Sequence, residues 1–183
     1  GVGALVATRK VRNNLSPVIH GGGHEDGLRS GSPNVAGIAG FGRAAELAHS
    51  HAENDMEKIT SLRDRLADLL VSELSDIRQV GDITHRLPNT LSMHFASTDA
   101  EAIMANCPDI SMSAGSACSA GAIEPSTVLT AMGFDRDAAF EVLRLSLGRF
   151  TSENEIEQAA NSIVTAVRYV RSLTGGEIPH ATI

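Results

Sequence analysis

The chain has 183 residues and a mass of 19.2 kDa, the size of one ordinary domain or of one domain carrying part of another. Apolar residues make up 42% of it, enough for a real core, yet no run approaches the roughly 18 to 20 residues that a membrane span needs. A formal net charge of −7 argues against direct nucleic-acid binding, which relies on Lys and Arg to displace counterions from phosphates. No basic start followed by an apolar run marks a secretory signal. The two cysteines, Cys107 and Cys118, form neither a CxxC pair nor a disulfide framework, which suits a reducing cytoplasm. The seven histidines are scattered, and His20 with His24 lacks partners at ligand spacing, so no metal site is expected.

In chain order, Gly3 to Ala7 reads as a short buried strand. Because the chain opens inside it, at Gly1 and without an initiator Met, a cut is expected there. Lys10 to Asn14 is polar, and Ser16-Pro17 marks a turn. Gly21-Gly22-Gly23 permits positive φ and close backbone approach, possible toward a phosphate but weak as a signal. Arg29-Ser30-Gly31-Ser32-Pro33-Asn34 holds two hydroxyls and a guanidinium, which fits an anion site or a plain turn equally. Val35 to about His51 is rich in Ala, Gly and Leu, consistent with a close-packed helix. Glu53 to Leu74 is the clearest helix, with Met56, Ile59, Leu62, Leu66, Leu69 and Val71 as a core stripe. Ile77 to Val80 and Thr90 to Phe95 alternate like half-buried strands. Asp99 to Asn106 reads as a short helix opened by a capping box of Thr98 and Glu101.

Ile110 to Ser113 reads as a strand that feeds the stretch Ser113 to Gly121, in which eight of nine residues are Ser, Ala or Gly. Such residues bury little apolar surface, so a mobile loop is expected. Cys118 within it is either an exposed nucleophile or an incidental thiol. Pro125 suits the first turn of a helix running to Met132, ended by Gly133. Val142 to Leu147 is strand-like. Ser152 and Glu155 form a second capping box, opening a helix whose inner face is Ile156, Ala160, Ile163, Val167 and Val170 and which Gly175-Gly176 ends. The order α-β-β-α-β-α-β-α predicts an α+β fold, a small sheet with helices over one face.

Four segments in order carry a resemblance: Gly21-Gly22-Gly23-His24-Glu25 with Leu28-Arg29-Ser30-Gly31-Ser32; Ser113-Ala114-Gly115-Ser116-Ala117-Cys118; Ile123-Glu124-Pro125-Ser126; and Leu143-Arg144-Leu145-Ser146-Leu147-Gly148-Arg149-Phe150. Together they closely resemble the cysteine desulfurases of the NifS/IscS class, from Gly1 to about Leu173. The resemblance implies a fold-type I enzyme using pyridoxal 5′-phosphate (PLP), a homodimer whose subunits have a large cofactor domain and a smaller C-terminal domain. Residues 1–51 then correspond to an edge remnant of the large α/β domain, and residues 52–183 to the small C-terminal domain.

The implied chemistry takes sulfur from L-cysteine as a protein persulfide, releases L-alanine and passes the sulfur to an acceptor protein. Cys118 matches the family nucleophile, on a stretch like that of the long-loop branch. Arg144 matches the arginine that holds the substrate carboxylate, a role that suits a planar guanidinium fork. Its apolar neighbours Leu143, Leu145 and Leu147 also argue against an ordinary surface charge. Ser32 matches a threonine that contacts the PLP phosphate across the dimer, keeping the hydroxyl and losing the methyl. Cys107 matches no functional position and is expected to pack in the core. The family's Schiff-base lysine lies just before the segment matching Gly1 to Leu5, and neither Lys10 nor Lys58 falls in that motif. The chain is therefore expected to be inactive alone and to need the cofactor-bearing half. The alternative is a non-enzymatic sulfur carrier that receives persulfide on Cys118 from a separate donor. The acceptor could serve iron–sulfur cluster assembly or the thiolation of nucleic acid.

Overall fold

The computed structural model describes residues 1–114, 116–119, 122–173 and 175, and of residues 116–119, 122 and 123 it describes the backbone alone. Two compact units divide the chain, Gly1–Glu53 and Asn54–Ile183. The first holds helix α1 (Arg9–Arg12) and the start of α2 (Val35–Glu73). The expected strand at Gly3 to Ala7 does not form: these residues lack regular structure, and Leu5 and Val6 are 80% and 96% exposed. A strand needs a neighbour for its ladder, and no described residue of this unit is in a strand.

Two loops of this unit dock on each other. Ser30, 7% exposed, donates from Oγ to the Gly22 carbonyl at 3.0 Å. A Cβ added at Gly21 would lie 3.1 Å from that of Ser30, so the glycine triplet makes room for a serine. Arg12 pairs with Asp26 at 2.6 Å, which ties α1 to the turn after the triplet. At the start of α2 the Gly37 N–H donates to Asn34 Oδ1 at 3.0 Å, and a Cβ at Gly37 would fall 2.6 Å from Asn34 Nδ2.

The second unit is built on a sheet of four antiparallel strands, in the order β1 (Ile77–Gln79), β2 (Thr90–Phe95), β6 (Val142–Ser146), β3 (Ser113–Ala114). Strand alternation sorts its faces. Leu91, Met93 and Phe95 of β2 are fully buried, as is Leu143 of β6, with Leu145 nearly so. They meet Ile59, Leu62, Leu66 and Leu70 from the second half of α2, Ala100 and Ile103 of α3 (Ala100–Ala105), and Ile156, Ala160, Ile163, Val167 and Val170 of α6 (Glu153–Leu173). The inner face of α6 is the one the sequence predicts. On the sheet's other face a smaller cluster joins Val142 to Leu129 of α4 (Thr127–Ala131) and Ala139 of α5 (Arg136–Phe140), with Val80 and Phe134 beside it. His94 lies at this end, edge-on to Phe134, with Nε2 2.7 Å from a Glu141 oxygen.

Several elements differ from the sequence expectation. The two helices expected between Val35 and Leu74 are one helix of 39 residues, because Ser50-His51-Ala52-Glu53 holds neither Gly nor Pro to break it. Its stripe runs through Leu70, fully buried, while Met56 and Val71 are half exposed. Arg63 joins the buried face, donating to the carbonyls of Leu87 and Pro88 at 3.1 and 3.3 Å and pairing with Asp64 at 2.7 Å. The N-cap of α3 is Asp99, which accepts from the Ala102 N–H at 2.8 Å, whereas the Thr98 hydroxyl turns back to the Phe95 carbonyl. Pro125 ends a strand rather than opening a helix, and α5 carries no sequence signal because five residues are too few to show a period. The capping box at Ser152 does form: Ser152 N–H and Oγ each lie 2.8 Å from Glu155 Oε2, and the Glu155 N–H returns a bond to Ser152 Oγ at 3.3 Å.

Candidate functional site

Arg144 sits in the middle of β6 with Ser92 of β2 opposite it on one side and Ser113 of β3 on the other. Residues directly opposite share a face, so all three side chains stand on the side away from the main core. Leu143 and Leu145, which flank Arg144 in sequence, are 0% and 4% exposed and hold the strand from behind. Arg144 is exposed, and among the described residues no carboxylate or carbonyl pairs with its guanidinium. Neither neighbouring serine hydroxyl is engaged by a described residue. Among the described residues the arrangement is a bidentate donor without a partner on a polar stretch of sheet, fit to receive a carboxylate.

The segment carrying Cys118 begins at this row. Cys118 lies five residues beyond Ser113, so its backbone is at most about 18 Å from that of Ser113. Within the stretch expected to be a mobile loop, the described backbone pairs β4 (Ser116–Ser119) with β5 (Ala122–Pro125) as a β-hairpin, with Cys118 opposite Ile123. Ladder hydrogen bonds need no bulky side chains, which is why small residues did not prevent a strand here. The exposure of Cys118 and the mobility expected of its stretch lie outside the described residues. Cys107 is 2% exposed with Sγ 3.6 Å from the Ser162 carbonyl, and burial pushes its thiol pKa up. It is a core residue, as the sequence suggests.

A cavity of about 270 Å³ opens beside Ser92, lined by Val80, Asp82, His85, Arg86 and Thr90 among others. Asp82 followed by Thr84 is the sequence signature of a side-chain turn. The Asp82 carboxylate accepts from the Thr84 hydroxyl at 2.7 Å, from the His85 N–H at 3.0 Å and from the Thr84 N–H at 2.7 Å, which hold its pKa well below the usual range. Its other oxygen is 3.2 Å from His85 Nδ1.

Ser32 belongs to the first unit and is exposed. The anion-site trio expected from Arg29, Ser30 and Ser32 is only partly assembled. Arg29 Nη1 folds back onto the carbonyls of Gly31 and Ser32 at 3.0 and 3.3 Å, and the Ser30 hydroxyl is spent on Gly22. The Ser32 hydroxyl is engaged by no described residue.

Residues 1–159 match the family profile described as aminotransferase class-V. The chain belongs to this family. Among class-V relatives, a protein named cysteine desulfurase IscS from an Anaeromyxobacter species is 43% identical over 95% of this chain and 43% of its own length. A cysteine desulfurase from a Frankia species is 46% identical over 95% of this chain and 42% of its own length. A solved structure of a NifS-like protein superposes with a TM-score of 0.74 at 30% identity, over 85% of this chain and 40% of its own. The chain thus spans less than half the length of these relatives. The likeness to NifS/IscS proteins expected from the four motifs is present across nearly all of the chain. No helix among the described residues is long and apolar enough to cross a membrane.

Proposed function

We propose that this chain works as part of a PLP-dependent cysteine desulfurase, in which Cys118 takes sulfur from L-cysteine and L-alanine is released. The observation that carries this reading is the Arg144 fork, without a partner among the described residues and one strand away from the root of the Cys118 hairpin, in a chain that aligns with named desulfurases over 95% of its length. Arg144 binds the substrate carboxylate through two parallel hydrogen bonds, and the buried leucines behind it fix where that carboxylate sits. Cys118 reacts as the thiolate. Its sulfur bonds to the substrate sulfur while the carbon–sulfur bond of the substrate breaks. The thiol sulfur is thereby oxidised to a persulfide and the substrate carbon reduced to a methyl group, the thiol proton supplying the added hydrogen. Bound PLP supplies an electron sink for that bond cleavage.

The residues present fit one end of that cofactor. The Ser32 hydroxyl, free of described partners beside Arg29, is a donor for the phosphate, in keeping with residues 1–51 as the edge of the cofactor domain and residues 52–183 as the small domain. Neither lysine near these segments suits the covalent link, since Lys58 Nζ donates to the Arg149 carbonyl at 3.1 Å and Lys10 lies in α1. The working enzyme is a homodimer that hands its persulfide to a separate acceptor protein, in iron–sulfur cluster assembly or nucleic-acid thiolation.

The test is alanine release from L-cysteine by the chain alone and by the chain joined to a class-V cofactor domain bearing the lysine. Release only in the joined form, abolished by Cys118→Ser, is expected. Undiminished release by Cys118→Ser removes the thiol from the mechanism. A persulfide formed on the isolated chain from a separate donor, with no alanine from either form, replaces the enzyme reading with the carrier.

A further inference from the structure

Resting on the reading of Cys118 as the sulfur-accepting thiol, we infer that Arg136 is a positioning residue for it, acting through Glu124. The β4–β5 hairpin meets the rest of the second unit at both of its roots. At the first, β3 is joined to β6 at Ser113 and Ala114 among the described residues. At the second, Glu124 of β5 receives Arg136 Nη1 of α5 at 3.1 Å. The register carries this second tie to the thiol. Glu124 lies opposite Ala117 and adjoins the Cys118–Ile123 pair, so a shift of Glu124 displaces the residues that bear Cys118.

The Arg136 end of the tie is anchored. Asp135 caps α5 by accepting from the Ala138 N–H at 2.8 Å, and Ala139 is fully buried in the cluster with Leu129 and Val142. The guanidinium carbon lies 5.5 Å from the centroid of the Phe140 ring, a cation–π contact that limits where the side chain can go. The tie is also weak. Both partners are more than half exposed, and such pairs contribute little and are screened by salt. A weak tie fixed to a helix suits a thiol that must first meet the substrate and later present its sulfur, because it biases the position of Glu124 without locking it.

The test uses the full-length holoenzyme and the rate at which neutral iodoacetamide alkylates Cys118, followed by peptide mapping. Arg136→Gln and Glu124→Gln are each expected to raise that rate about two- to fivefold, the factor that an exposed ion pair supports. High salt should do the same to the wild type and little to either variant. Arg136→Lys, and the exchange Glu124→Arg with Arg136→Glu, should return the rate to near the wild-type value. In turnover, kcat should fall with KM for L-cysteine nearly unchanged, since the carboxylate site at Arg144 is untouched. Wild-type alkylation rates in both single variants overturn the inference, and so does failure of the charge exchange to restore the rate when the melting temperature is unchanged. Alkylation does not depend on turnover, so full activity of Cys118→Ser defeats the desulfurase reading separately.

Discussion

At the scale of single residues, the two thiols are expected to differ in reach. Cys107 is walled in by the core and kept protonated by burial, so its reaction with an alkylating reagent requires opening of the domain. Brief alkylation of the native chain is expected to label Cys118 and leave Cys107 untouched, with both labelled in denaturant; early labelling of Cys107 would contradict the placement. Arg144 gives a second outcome. Arg144→Lys keeps the charge and loses the planar fork, so in the complete enzyme KM for L-cysteine should rise about tenfold or more while cofactor content stays the same. Equal loss of cofactor and substrate binding would make Arg144 a structural residue.

At the scale of elements, the start of α6 is held by reciprocal bonds between Ser152 and Glu155. Ser152→Ala is expected to cost about 1 kcal/mol, measured by denaturant titration. Two carboxylates, Glu155 and Asp82, have pKa values lowered chiefly by the hydroxyls of Ser152 and Thr84. A carboxylate whose folded pKa is depressed stabilises the fold above its unfolded value, about pH 4, and that contribution is lost as pH falls through the folded value. Stability should therefore decline on acidification below about pH 4, and the decline should be shallower in Glu155→Gln; an unchanged profile would show that the cap is not ionised.

Legibility in the sequence followed the same divide. Helix α6, β2 and β6 could be read because an amphipathic period or alternation repeats over their length. Helix α5 and the Asp99 cap could not, because they rest on one or two local bonds. The strand expected at Gly3 to Ala7 shows that apolar residues alone do not make a strand without a neighbour. At the candidate site, Arg144 and Cys118 were visible as residues, but the row of Ser92, Arg144 and Ser113 depends on which strands pair, whereas alternation within a strand tells only which face each residue takes.

At the scale of the molecule, the second unit is one helical layer on one sheet face, and its stability depends on the seam between them. Leu70 of α2 has no exposed surface and lies in that seam. Leu70→Ala should cost about 2–5 kcal/mol, a large part of the roughly 5–15 kcal/mol that holds a domain of this size. A loss under 1 kcal/mol in chemical denaturation would mean that the core refills the space. Among the described residues the opposite face is covered where α4 and α5 meet Val142, and Arg144 itself is exposed, so the row at Arg144 can be altered with less effect on folding than the buried positions behind it.

The buried guanidinium of Arg63 bears on that row from a distance. It reaches from a helix to the carbonyls of Leu87 and Pro88, the residues that deliver the chain into β2. In doing so it sets the phase with which β2 enters the sheet. A slip of one residue there would turn Ser92 inward and bring Leu91 out beside Arg144, exchanging a hydroxyl-lined approach for a greasy one. The chemistry of the row is thus set in part by a helix residue that lies outside it. Replacing Arg63 with an apolar side chain of equal bulk would keep the core filled and lose that setting.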